Sequence, residues 1–241
     1  MKFLVFQHIK VEHPGEWRDC MRQAGADWDA VELDAGEAIP PLDAYDALIS
    51  MGGPMDVFDE DEHPWLAAEK AAIREAVQDR RMPFLGVCLG HQLLADALNG
   101  AVGRMVEPEV GLMEVSLTPA GRDDPLFAGL ADPLACLQWH GCEISRMPRG
   151  GEALAASPVC PVQAVRVGRH AYGLQFHVEL TADTVTEWAE VPAYRDSLER
   201  ALGEGALARL DADIAAKLPA FNASAGRLYE NFADLIRQSR S

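Results

Sequence analysis

Apolar residues along the chain fall into short blocks separated by polar and glycine-rich stretches. Lys2 to Gln7, Trp28 to Leu33, Asp46 to Met51 and Pro83 to Val87 are apolar runs of strand length, continuous enough for strands buried on both faces. Between the third and fourth, His63 to Arg80 carries Leu66, Ile73 and Val77 at helical intervals, with Pro64 at a first helical position. Strand and helix alternate, which predicts an α/β protein built on an open, mostly parallel sheet flanked by helices. After Gly103 the runs shorten: Glu114 to Thr118, Leu134 to Trp139, Ala153 to Ala156, Val162 to Val167 and Ala171 to His177. They predict a small antiparallel layer, with Gly168-Arg169 as a two-residue hairpin turn delivering the last run.

From Thr181 the pattern is helical, over Val185 to Ala189, Tyr194 to Leu202, Leu207 to Leu218 and Leu228 to Arg237, with interruptions at Gly203-Glu204-Gly205 and at Pro219. Apolar spacing resumes on both sides of each interruption, so neither reads as a domain linker. One domain over 1–241 is expected, with a core over about 1–180 and added helices over about 181–241.

Charge narrows the partners. The 241 residues carry 38 acidic against 21 basic side chains, a formal charge of −17, which disfavours nucleic acid and anionic membranes. Cys20, Cys88, Cys136, Cys142 and Cys160 are an odd, scattered set without C-x-x-C spacing, and the amino terminus enters an apolar run at once. A reducing cytoplasm is the expected compartment. No apolar run approaches the roughly 18 to 20 residues of a membrane span.

The chemistry concentrates at Gly86-Val87-Cys88-Leu89-Gly90. A strand turning sharply into a helix strains its central residue and needs nearly bare positions two before and two after it. The turn exposes the sulfur of Cys88 at a helix N-terminus, where free N–H groups and the helix dipole favour thiolate. Far downstream, Phe176-His177-Val178-Glu179 reads as the continuation of a strand. His177 and Glu179 would then share a face and supply a base and its orienting group. Cys88, His177 and Glu179 form a candidate catalytic triad. In the parallel part, ligands gather outside the carboxyl ends of the strands, where the first run leads into His8, the third into Gly52-Gly53-Pro54 and the fourth into Cys88.

Met51-Gly52-Gly53-Pro54, Gly86 to Gln92 and Phe176 to Glu179, in this order and at these intervals, resemble the class I (triad) glutamine amidotransferase family. The resemblance covers about residues 1 to 180 and is greatest to stand-alone members similar to the amidotransferase domain of GMP synthase. It implies a flavodoxin-like fold, a Cys88–His177–Glu179 triad and an oxyanion hole from the N–H groups of Gly53 and Leu89. It also implies Gly52 in the loop beside the substrate and Gln92 on the substrate amide. Trp139-His140-Gly141 is similar to the family's loop for the amino-acid head of glutamine. Position 142, often acidic in that loop and able to pair with a substrate ammonium, is Cys142 here.

The expected reaction is hydrolysis of the glutamine side-chain amide through a cysteine thioester, giving glutamate and ammonia, without cofactor or metal. No G-x-x-x-x-G-K-[ST] phosphate loop occurs, so an ammonia acceptor would be a separate synthetase. The departure at Cys142 leaves room for an alternative, a self-sufficient hydrolase of a γ-glutamyl amide or peptide. His140 and Cys142 lack further partners at zinc-site spacing. His8, Glu12 and His13 read as a solvated loop, and His91 as a surface residue of the elbow helix.

Overall fold

A computed structural model of the protein describes residues 1–240. In chain order its strands are β1 (Lys2–Gln7), β2 (Asp27–Glu32), β3 (Ala47–Ser50), β4 (Phe84–Val87), β5 (Ala101–Leu117), β6 (Leu134–Arg146), β7 (Gly151–Ala156), β8 (Ala164–Val167) and β9 (Ala171–Leu174). They join in one sheet in the order β2-β1-β3-β4-β9-β8-β7-β5-β6. The pairings from β2 to β9 are parallel, and those from β9 to β6 are antiparallel. The α/β architecture is as expected, but the antiparallel strands continue the parallel sheet at its edge. They amount to half of its pairings, so the sheet is mixed.

Alternation along β1 shows how both faces are buried. Phe3 and Val5 enter one core cluster with Trp17 and Met21 of α1 (Trp17–Gln23) and with Phe232 and Ile236 of a long C-terminal helix. Leu4 and Phe6 enter the opposite cluster, against Ile73 of α2 (Trp65–Arg74) and Leu93 of α3 (Leu89–Ala97). Burying such side chains stabilises by about 1.5–3 kcal/mol each.

After the short α4 (Pro119–Arg122), the helical extension consists of α5 (Thr184–Ala189), α6 (Pro192–Leu202) and α7 (Ala206–Ser239). The break at Gly203 to Gly205 is observed, with left-handed backbone at both glycines. Pro219 breaks nothing, and α7 runs through it for 34 residues. A proline forfeits one backbone hydrogen bond and crowds the preceding turn, but both halves of α7 are anchored. Leu210 and Ile214 pack with α6, Phe232 and Ile236 lie in the sheet core, and the Trp17 indole donates to the Ala225 carbonyl at 3.0 Å.

The hairpin between β8 and β9 also differs in detail. Val167 pairs with Ala171, so Gly168, Arg169 and His170 form a three-residue loop, with Gly168 at φ +65.

Candidate active site

β4 ends in a strained turn. Cys88 sits at φ +51, ψ −102 and caps the start of α3, a conformation that costs a non-glycine residue free energy. Its neighbours permit it: a Cβ on Gly86 would lie 2.3 Å from the Gly90 carbonyl oxygen, and one on Gly90 would lie 2.1 Å from that of Ser50. The Cys88 N–H donates to the Leu174 carbonyl at 2.7 Å, which ties the elbow to the end of β9. Leu89 is the first residue of α3, so its N–H has no acceptor within that helix.

His177 arrives by a different route from the one alternation suggests. β9 ends at Leu174, and His177 then pairs across to Leu137 of β6, with backbone bonds of 2.9 and 3.0 Å. Its Nδ1–H donates to Glu179 Oε1 at 2.7 Å, and Glu179 Oε2 accepts the Val178 N–H at 2.9 Å. That tautomer leaves Nε2 free to face a thiol. Cys88, His177 and Glu179 are all nearly inaccessible to solvent. Burial works against the charged imidazole, yet the charge of Glu179, the influence of Cys88 and the bond donated to Glu179 outweigh it and hold His177 well above its ordinary pKa. Trp188 of α5 packs edge-on against the His177 ring at 4.7 Å, and its indole is fixed by a 3.1 Å bond to the Val11 carbonyl.

Cys88 opens into a cavity of about 220 Å³ that also holds Gly53, Leu89, Gln92, Trp139, His140 and Gly141. Seven of the expected site residues thus share this cavity, whose lining does not include Gly52, His177 or Glu179, and several are engaged with the protein itself. The Gln92 amide donates to the Cys142 carbonyl at 3.2 Å and to Gln175 Oε1 at 3.0 Å, and the residue is buried rather than exposed at a helix start. His140 lies between the Cys142 carbonyl at 2.9 Å and Glu109 Oε2 at 3.1 Å, so both ring nitrogens brace the cavity wall.

The loop after β1 is solvated at Lys10 and half-buried at His13, but His8 and Glu12 are not solvated. His8 is fully buried, donating to the Gly52 carbonyl at 2.7 Å through Nδ1 and contacting both Glu69 oxygens at 2.9 and 3.0 Å through Nε2. Two acceptors require a proton on each nitrogen. Burial opposes that charge, but Glu69 and Gly52 raise the His8 pKa regardless. Glu12 is also buried. One of its oxygens accepts the Tyr194 hydroxyl, and the other lies where a Cβ on Gly52 would approach to 2.6 Å. Burial raises the Glu12 pKa, with His177 and Tyr194 pulling the other way. His91 is likewise buried, lowered to about 3 chiefly by desolvation, and packs on Gly173, where a Cβ would meet its Nδ1 at 2.6 Å.

Four contributors, three of them on α6, escaped the sequence reading. Tyr194, Ser197 and Arg200 of α6 line the cavity, and Ser197 accepts the Trp139 indole N–H at 2.7 Å. No motif marks them, because they belong to the helical extension. Asp56 also lines the cavity. Its Oδ1 accepts the Cys142 thiol at 3.1 Å, and its Oδ2 pairs with Arg104 at 2.9 Å. Burial and then Asp56 push the Cys142 thiol up to about 12, so this sulfur is a neutral S–H, unsuited to nucleophilic attack. Among the described residues, no three His, Cys, Asp or Glu side chains come together to hold a metal ion, and no helix is long and apolar enough to cross a membrane.

The sequence profile of the family described as glutamine amidotransferase class-I matches residues 17–187. The glutamine amidotransferase-like protein YfeJ of Salmonella typhimurium is 39% identical over 182 residues, covering 74% of this chain and 75% of its own. A glutamine-hydrolyzing GMP synthase subunit of Sulfolobus acidocaldarius is 32% identical over 153 residues, covering 63% of this chain and 77% of its own. Among solved structures, a glutamine amidotransferase from Thermotoga maritima superposes with a TM-score of 0.86 at 29% identity, over 96% of this chain and 97% of the other.

Proposed function

The chain belongs to the class-I glutamine amidotransferase family, and we propose that it hydrolyses the side-chain amide of glutamine at Cys88. In this reading His177 takes the thiol proton and Glu179 holds the imidazole in the required tautomer. The Cys88 sulfur bonds to the amide carbon, and the oxyanion rests on the N–H groups of Gly53 and Leu89. The carbon–nitrogen bond then breaks, His177 returns the proton to the departing ammonia, and a γ-glutamyl thioester remains. Water, deprotonated by His177, splits the thioester to glutamate and restores the thiol.

The observation that carries the reading is the left-handed Cys88 at the strand-to-helix elbow, together with a buried His177 that is bonded through Nδ1 to Glu179 and whose charged form Glu179 and Cys88 both favour. Substrate recognition follows from Asp56. The carboxylate missing at position 142 is present in space, because Asp56 Oδ1 rests against the Cys142 thiol in the cavity wall. A thiol is a weak donor that a substrate ammonium readily replaces. This favours free glutamine over a γ-glutamyl compound blocked at its α-amine. The relative named as a GMP synthase subunit supports an ammonia acceptor on a separate synthetase chain.

The test is release of glutamate and ammonia from glutamine, together with alkylation of Cys88 by a chloromethyl ketone built on the glutamine skeleton. Cys88→Ala abolishes both. His177→Ala lowers kcat by about 10² to 10⁴, as for loss of a general base, and Glu179→Gln lowers it less. Wild-type turnover in Cys88→Ala, or alkylation of Cys142 in place of Cys88, overturns the reading.

A further inference from the structure

A second cavity, of about 840 Å³, lies at the opposite ends of β4 and β9 from Cys88. Four arginines reach it from four places in the chain. Arg81 precedes β4, Arg146 ends β6, Arg149 follows it, and Arg169 sits in the β8–β9 loop. No carboxylate lines this cavity. Among the described residues, no acidic side chain pairs with Arg81, Arg149 or Arg169, although acidic residues outnumber basic ones by 38 to 21 in the whole chain. All four arginines are solvent-exposed, and a concave surface lined by unneutralised charge of one sign concentrates small ions of the other.

The local backbone is also unusual. The α2 helix ends in a π-helical turn, Glu75–Asp79, a form that recurs at functional sites, and Val77 and Gln78 of that turn line the cavity. Arg81 follows at φ +53, a left-handed conformation rare for a bulky side chain and held here by the Met82 N–H bond to the Ala76 carbonyl at 2.8 Å. Arg146 is pre-positioned by donating to the Asn99 and Gly100 carbonyls, both at 3.2 Å. Met82, Leu98 and Val167 supply an apolar floor. A cationic rim over an apolar floor, at a volume ordinary for small-molecule sites, matches a ligand with a charged end and a flat apolar end.

We propose that this cavity binds a phosphorylated small molecule of nucleotide size, its phosphates on Arg81, Arg146, Arg149 and Arg169 and its base on Met82, Leu98 and Val167. The overall negative charge disfavours extended polyanions but not a small anion drawn into a local cationic cleft. The site is independent of the amidase reading.

Calorimetric titration of the whole protein in EDTA, with ATP, pyrophosphate and adenosine as separate probes, tests it. ATP is expected to bind saturably at one site, with pyrophosphate and adenosine each roughly tenfold or more weaker. Arg149→Glu/Arg169→Glu weakens ATP by roughly tenfold or more, and the milder Arg149→Gln/Arg169→Gln pair weakens it in the same direction. Protein alkylated at Cys88 retains ATP binding. The proposal is overturned by absence of saturable ATP binding, by adenosine binding as tightly as ATP, by unchanged affinity in both arginine variants, or by loss of binding on Cys88 alkylation.

Discussion

His8 donates through Nδ1 to the carbonyl of Gly52 at 2.7 Å, and this bond fixes the direction of the next N–H. The Gly52–Gly53 peptide is trans, so the Gly52 carbonyl and the Gly53 N–H point in opposite senses. Pinning the carbonyl toward buried His8 turns the N–H of Gly53 away from it, and Gly53 itself lines the cavity that holds Cys88. Glu69 holds His8, and Ser50 in turn donates to Glu69 at 2.8 Å. His8→Ala is expected to lower kcat for glutamine by roughly ten- to hundredfold while leaving KM nearly unchanged, because the oxyanion forms only on the way to the tetrahedral intermediate. Steady-state kinetics decides it: a loss confined to KM would remove His8 from this role.

His8, held by the buried carboxylate of Glu69, also makes stability depend on pH. The folded-state pKa of His8 is raised, so the folded protein holds this proton more tightly than the unfolded chain does. The resulting stabilisation is complete below the unfolded value of about 6.5 and is lost as pH rises through the higher folded value. Urea unfolding of wild type and His8→Gln at pH 6 and pH 9 should therefore show the larger gap at pH 6. A gap that widens with pH contradicts a charged His8.

Asp56 predicts a change in selectivity. Asp56→Asn keeps the shape of the side chain and removes the charge facing the cavity. The preference for glutamine over its α-N-acetyl derivative, read as a ratio of kcat/KM, should fall by roughly ten- to hundredfold. Adding Cys142→Asp to that variant returns a carboxylate to the same corner and should recover part of the preference. A ratio that stays put in Asp56→Asn assigns the ammonium to other groups.

Pro219 tests the continuity of α7. It is exposed in the middle of a helix, where proline is about 3 kcal/mol worse than alanine. Pro219→Ala should stabilise the protein by about 1–3 kcal/mol, seen as a higher urea midpoint. A neutral or negative change would mean that α7 is adapted to its proline.

What was readable in the chain followed the strength of local signals. β1, β3, β4 and the elbow were legible because burial on both faces demands unbroken apolar runs, and because Gly86 and Gly90 have no tolerable substitute beside Cys88; β9, expected in the antiparallel layer, also pairs parallel with β4, which local pattern does not reveal. His177 and Glu179 were found together, but for a partly mistaken reason: the pairing to Leu137 is long-range, and alternation cannot reveal where β9 ends. His8 and Glu12 read as solvated loop because a buried charge leaves no local pattern; only Glu69, 61 residues from His8, and Tyr194, 182 residues from Glu12, account for them. Pro219 misled because a helix breaker is judged locally, whereas tertiary packing on both sides keeps α7 whole.

The wall that α6 contributes has a consequence for the order in which the protein is made. Cys88, His177 and Glu179 all emerge from the ribosome before Tyr194 and Ser197, and the α7 carbonyl that Trp17 holds, at Ala225, emerges later still. A chain ending after Glu179 would thus hold all three residues of the proposed triad and yet lack the cavity wall that Tyr194, Ser197 and Arg200 supply.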